Sequence, residues 1–240
     1  MQDWSERTYL LLGQKAMASL ATAHVVVVGV GGVGAYAAEM IARAGVGHMT
    51  IIDGDTVSVS NINRQLPALH STVGIDKVEV MRRRIIDINP DVQVEAVCKF
   101  ITPGDVELLL ECRPDFVVDA IDSIAPKVAL IEHCLRSDIA IVSSMGAGGR
   151  IDPSAVRYAD ISQTRNDGLA RVVRSRLRKD GFASGLTVVW SEELPVEASL
   201  VITDELQNKR SSYGTVSYLP CIFGCMLAAH VINRLTNNND

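Results

Sequence analysis

No pair of cysteines in the 240-residue chain is spaced as CxxC. The five that occur, Cys98, Cys112, Cys134, Cys221 and Cys225, are scattered and odd in number. Neither a four-cysteine zinc site nor a dithiol redox pair is written here, and the pattern reads as a reducing, cytoplasmic protein. Long apolar runs are also missing. None reaches the roughly 18 residues expected of a membrane span. The most apolar late segment, YLPCIFGCMLAAHVI (218–232), holds a proline and reads as a buried helix, so no membrane partner is expected. The first residues, MQDWSERTYLLLG, carry acids and an arginine where a signal peptide would be basic and then apolar. An excess of positive charge is absent as well: 23 Lys and Arg stand against 28 Asp and Glu, a net charge of −5. That excludes whole-surface binding to nucleic acid or an anionic membrane and leaves room for a local basic patch. No repeat and no low-complexity linker divides the chain.

What is present is a core. The 48% hydrophobic content suffices for one domain. A helix is expected over 8–20. The β-branched run HVVVVG (24–29) predicts a strand buried on both faces. A small-residue helix follows, GVGAYAAEMIARAG, ended by Gly45; GHMTIIDGD is a second strand. KVEVMRRRIIDINP is a helix stopped at Asn89-Pro90, and VQVEAV, DFVVDAID and IAIVSS are further strands, with PKVALIEHCLRS a helix between the last two. Such alternation predicts an α/β fold with a doubly wound, mostly parallel sheet to about residue 145. After GAGGR come short strand-like pieces over 155–200, an arginine-rich stretch, a helix near 219–234 and a polar tail, TNNND, expected to fray. The expectation is a single domain over 1–240. Its nucleotide-binding half runs from about 20 to 145, and a C-terminal, substrate-side elaboration on the same sheet from about 146 to 240.

GVGGVG sets Gly29, Gly31 and Gly34 in GxGxxG spacing between strand and helix. One glycine makes the tight turn, the next admits backbone to phosphate, and the third lets helix and strand pack closely. The helix N-terminus then offers N–H groups to an anion. Asp53 ends the second strand, where a ribose-binding carboxylate belongs. The loop alone leaves NAD, FAD and ATP open.

The polar residues continue past Asp53, to Asp55, Asn61, Asn63, Arg64 and Gln65. Cleavage of a triphosphate needs charge neutralised as pyrophosphate departs, and a metal placed. Arg64 supplies a guanidinium fork, Asn61 a neutral amide, and Lys77 a second cation at a helix start. Asp122, past a strand's carboxyl end, is a carboxylate placed for Mg²⁺. Singly, each has a plain alternative: a helix N-cap for Asp122, a solvated helix face for Lys77, turn residues for Asn61 and Asn63, a surface ion pair for Arg64. In this order after the glycine loop they point together to a triphosphate.

The series GxGGxG, DxD, SNxxRQ, GxxKxE and DxxDS, over residues 24–125, resembles the adenylating domain of the ubiquitin-activating, MoeB and ThiF superfamily. The resemblance implies a Rossmann-like adenylating fold that binds ATP and Mg²⁺, with a monovalent cation open. It implies that Gly29, Gly31, Gly32 and Gly34 form the phosphate loop, that Asp53 holds the ribose and that Asp55 supports it. Asn61, Arg64 and Lys77 would contact the triphosphate, with Gln65 beside them and Asp122 on the metal. It also implies a homodimer in which Arg7 reaches the partner subunit's ATP; otherwise Arg7 only decorates the first helix.

DAIDSIAPKVALI and GAGGRIDPSAVRYADISQTRNDGLARVVRSRLRK, over residues 119–179, resemble the tRNA threonylcarbamoyladenosine dehydratases. That resemblance implies ATP-dependent cyclisation of the modified nucleoside through an acyl-adenylate, with release of AMP and pyrophosphate. Residues 157–179 carry Arg157, Arg165, Arg171, Arg174, Arg176, Arg178 and Lys179 against Asp160 and Asp167. Such a patch on an acidic protein suits tRNA through counterion release; the bland reading is a solvated face or an ion-pair network. Some relatives carry a cysteine before the last helix, whereas here Cys221 and Cys225 fall in the apolar run and read as core. The alternative function is adenylation of the C-terminus of a ubiquitin-like or sulfur-carrier protein, with a sulfur-transfer partner open. An NAD-dependent oxidoreductase would leave Arg64 and Lys77 unexplained, and a non-catalytic module would leave the whole series unexplained.

Overall fold

The computed structural model describes residues 4–202 and 211–236. All but the first residue of the TNNND tail therefore lie outside the described residues. The helix expected over 8–20 is α1 (Glu6–Thr22), and it is interrupted at Gly13, where φ is 81°. Left-handed backbone of that kind is open to glycine at little cost and ends a regular helix turn. The chain then alternates as its apolar runs require. In order come β1 (His24–Val28), α2 (Gly34–Arg43), β2 (His48–Ile52), α3 (Lys77–Ile88), β3 (Gln93–Val97), a short α4 (Val106–Leu109) and β4 (Phe116–Asp119). They are followed by α5 (Ile124–Arg136), β5 (Ile141–Ser144), β6 (Val156–Asp160), α6 (Gly168–Lys179), β7 (Thr187–Ser191), β8 (Leu200–Ile202), β9 (Ser211–Tyr213) and α7 (Tyr218–Thr236).

Seven strands form one sheet in the order β3-β2-β1-β4-β5-β7-β6, with β8 and β9 a separate pair. Every neighbouring pair in the large sheet is parallel except β6 with β7. After residue 155, β6 and β7 therefore extend the same sheet and end it with an antiparallel edge strand. The winding reverses between β1 and β4, and a crevice for ligand opens at the carboxyl ends of strands flanking such a reversal.

Strand periodicity distributes the core. Val25 and Val27 of β1 face one cluster with Leu20, Ile41, Met81, Phe223 and Leu227. Val26 and Val28 face the other, with Leu110, Leu130, Ile131, Val173 and Leu177. Helices α1, α2, α3 and α7 thus cover one face and α4, α5 and α6 the other. One side of α7, with Leu219, Phe223, Leu227 and Val231, is buried inside the molecule, and the helix packs against α1, α2 and β5. Its Pro220 sits in the first turn, where a missing N–H costs no helix bond.

Candidate nucleotide site

The glycine loop lies at the reversal point, after β1. Gly29 N–H donates to Ile52 O at 2.7 Å, joining β1 to β2. A Cβ on Gly29 would stand 2.8 Å from Ala120 O, and one on Gly34 would stand 1.8 Å from Gly29 O. The first and last glycines are therefore spatial requirements, locking the loop against the end of β4 and against the start of α2. A Cβ on Gly31 would stand 3.6 Å from Gln65 Nε2, and one on Gly32 would stand 3.3 Å from Pro220 Cβ. No side chain caps the N-terminus of α2, which leaves that end open for an anion.

Asp53 joins the next segment to this loop. Its carboxylate accepts from Val30 N–H and from Asp55 N–H, each at 2.8 Å. Burial pushes its pKa above the ordinary carboxylate value, and Lys77 and the two backbone bonds pull against that push. Lys77 is buried, its side chain 5% exposed, and its Nζ donates to Asp55 Oδ2 at 2.7 Å. The solvated-face alternative for Lys77 is therefore wrong: α3 begins by carrying a cation inward to the Asp53–Asp55 turn.

Asn61 closes a 3₁₀ turn by accepting from Ser58 N–H at 3.1 Å. Arg64 is half-buried, and burial lowers its pKa. Its Nη1 donates to Ser60 O and Asn63 Oδ1, both at 2.9 Å. Asn63 in turn donates to Thr215 O at 2.9 Å. Gln65 Oε1 is buried beside Gly31 with no hydrogen-bond partner among the described residues.

Asp122 is exposed on the turn after β4, with Ser123 Oγ 3.5 Å from its Oδ1. Ser123 occupies the N-cap position of α5, so Asp122 is not the cap. Among the described residues no group of three or more His, Cys, Asp or Glu is gathered to hold a metal. A lone carboxylate fits Mg²⁺, which takes one or two protein carboxylates and completes its shell with phosphate oxygens and water. Arg7 stands exposed in the first turn of α1, apart from the contacts that join the loop, Asp53, Lys77 and Arg64.

The basic segment 157–179 divides in two. Arg157 and Arg165 reach Glu192 at 3.6 and 2.7 Å, and Arg174 donates to Thr164 O at 2.9 Å. Arg171, Arg176, Arg178 and Lys179 are exposed on α6. The ion-pair reading thus holds for part of the segment and the open basic face for the rest. Cys221 and Cys225 are half-buried on α7, short of the full burial expected of core residues. Burial and the neighbouring Cys225 push the Cys221 thiol up to about 11, which suits neither a nucleophile nor a thioester carrier.

Two buried ion pairs escape sequence reasoning. Asp119 pairs with Lys127 at 2.6 Å, and Arg150 with Asp167 at 3.2 Å. Arg150 also donates to Gly146 O, Glu193 O and Asn166 O, holding the GAGGR loop. That loop bonds onward through Gly149 N–H to Gly214 O at 2.8 Å. Residues 213–215 therefore connect the GAGGR loop with Asn63. The only sequence signal for Lys127 is a strand-ending Asp eight residues before it.

Known proteins follow the same plan. The ThiF family model matches residues 5–240. A tRNA threonylcarbamoyladenosine dehydratase of Bacillus subtilis is 40% identical over 236 residues, 95% of this chain and 93% of that protein. The crystal structure of the Escherichia coli tRNA N6-threonylcarbamoyladenosine dehydratase in complex with ATP is 38% identical, with a TM-score of 0.87, and the match covers 97% of this chain and 94% of that one. The molybdopterin-synthase adenylyltransferase of Escherichia coli is 36% identical over 140 residues, 58% of this chain. With the glycine loop, the Asp53–Lys77 cluster and the SNINRQ turn assembled at one sheet reversal, the chain belongs to the ThiF family.

Proposed function

We propose that the chain is a tRNA threonylcarbamoyladenosine dehydratase that activates its substrate with ATP. The observation that carries this is extent. Relatives with that activity match 95–97% of the chain, including its substrate side, whereas the molybdopterin-synthase adenylyltransferase matches 58%. The reading takes the chain as one adenylating domain, because β6 and β7 continue the nucleotide-binding sheet.

In this reaction the threonyl carboxylate attacks the α-phosphorus of ATP, the bond to the β-phosphate breaks, and pyrophosphate leaves. The substrate's own ureido group then attacks the acyl carbon, loses a proton, and expels AMP as the ring closes. The nucleoside has lost one water. No enzyme nucleophile is needed, in accord with a Cys221 thiol that stays protonated at neutral pH.

The protein's part is placement and charge. The loop of Gly29, Gly31, Gly32 and Gly34 and the open end of α2 receive phosphate. Asp53, fixed by Val30 and Asp55, faces the ribose. Arg64 leaves its parking partners Ser60 and Asn63 to grip phosphate oxygens, with Asn61 and Gln65 beside it and Lys77 supplying a second cation. Bound Mg²⁺ would neutralise charge on the departing pyrophosphate, and Asp122 is the residue that would hold it. The open basic face of α6 receives tRNA. Arg7 acts across a homodimer on the partner's nucleotide. The cytoplasm, where tRNA is found, is the proposed location, and the reaction requires no sulfur-transfer partner.

The test uses purified protein, Mg-ATP and tRNA bearing threonylcarbamoyladenosine, with the nucleoside followed by mass spectrometry. Loss of one water with formation of AMP is expected. Arg64→Ala is expected to lower kcat/KM by about 100-fold, the scale for removing one preorganised charge-stabilising group. An unchanged nucleoside beside active pyrophosphate exchange into ATP would shift the assignment to carrier-protein adenylation.

A further inference from the structure

Directly beneath the turn that carries Asp122 lies an ion pair sealed from solvent. Lys127 and Asp119 are both 0% exposed, with Nζ 2.6 Å from Oδ2. Lys127 Nζ also donates to Ile121 O at 2.8 Å, and Asp119 Oδ1 accepts from Ile121 N–H at 3.0 Å. Ser143 of β5 donates its hydroxyl to Asp119. Both peptide groups of Ile121 are thus claimed by one charged pair, and the next residue is Asp122. The residue before, Ala120, donates its N–H to Val28 O at 2.9 Å and sets its carbonyl against Gly29. One short turn therefore forms the floor of the glycine loop and the base of Asp122.

This arrangement is a costly way to stabilise a core. Two charges are taken out of water, and apolar residues of similar volume commonly serve stability as well or better. Lys127 sits four residues past the cap Ser123, at the positive end of α5, where the helix dipole disfavours a cation. What the pair supplies and an apolar pair cannot is a directional hold on the Ile121 backbone.

We infer that Lys127, clamped to Asp119, is a positioning residue that sets Asp122 for Mg²⁺ beside the triphosphate. The inference rests on the metal-holding role proposed for Asp122, and the two can fail separately.

The deciding measurement is ATP binding by calorimetry with and without Mg²⁺, alongside thermal melting. The main variant is Asp119→Asn with Lys127→Met, which removes both charges, so that neither partner is left buried and unpaired, and frees the Ile121 carbonyl. It is expected to melt cooperatively and to bind metal-free ATP as the parent does. It is expected to lose about tenfold or more of the affinity gained on adding Mg²⁺, as when a metal ligand's supporting partner is removed. Lys127→Arg keeps the charge while forcing a larger head into a site with no exposure. It should also lose part of the Mg²⁺ gain, and it decides the matter where the double variant does not fold. A folded double variant, or failing that a folded Lys127→Arg, with the parental Mg²⁺ gain would overturn the inference. Asp122→Asn runs in parallel. If it loses the gain while the Lys127 variants keep it, the inference falls and the role of Asp122 stands. If none loses it, both fall.

Discussion

Asp53 shows how one side chain that fastens the glycine loop would also serve the proposed nucleotide site. Its carboxylate is engaged by the Val30 and Asp55 N–H groups, and burial raises its pKa above the ordinary 3.8. The folded state therefore binds this proton at a higher pH than the unfolded chain does. The sign follows from linkage: Asp53 costs stability above its folded pKa, and the cost is relieved as pH falls toward the unfolded value. Ligand binding moves the other way, because protonation removes an acceptor from the site. ATP affinity is expected to fall on acidification at a pH above that of an ordinary carboxylate, and Asp53→Asn to bind more weakly with a flatter pH profile, as titration calorimetry across pH checks. At this scale the sequence is legible where a motif names the residue: Asp53 and Lys77 meet at the Asp55 turn, while the Arg64 guanidinium is tied to Ser60 and Asn63. It is silent on Lys127 and Arg150. A lysine in a helix and an arginine after glycines read as solvated by default, since only tertiary neighbours such as Asp119 and Asp167 make burial tolerable.

Elements are legible in proportion to their periodicity. β1, β2, β4 and β5 announce themselves as continuous apolar runs, and α3 by its amphipathic stripe and Asn89-Pro90 stop. The break in α1 is not legible, because a single glycine in a helical pattern is usually tolerated and only φ at Gly13 distinguishes the case. Nor is the direction of β6, because an edge strand's orientation is set by what its connection permits, not by its own residues. The packing of α7 on α2 turns on one position. A Cβ at Gly224 would stand 2.4 Å from Val33 O and 2.8 Å from Tyr36 Cβ. Gly224→Ala must push the two helices apart, and a destabilisation of about 1–3 kcal/mol is expected, the usual scale for overpacking a core. The denaturant midpoint measures it, and since Val33 adjoins Gly34, ATP affinity should drop in the same variant.

For the whole molecule the question is how a chain of net charge −5 would hold the tRNA proposed as its substrate. The answer offered by the fold is segregation: the exposed Arg171, Arg176, Arg178 and Lys179 of α6 stand together, while Arg157 and Arg165 are held by Glu192. Reversing Arg171 and Arg178 to Glu is expected to weaken tRNA binding and to flatten its dependence on salt by about 0.7–0.9 in log–log slope for each phosphate no longer neutralised. Filter binding across a salt series, with ATP affinity of the free protein as the control, checks this. The same view of the whole chain gives the approach of Gly32 to Pro220 a temporal meaning. The helix whose Pro220 meets the glycine loop is synthesised only after all seven strands of the sheet. A nascent chain can therefore complete its sheet before the loop gains this neighbour.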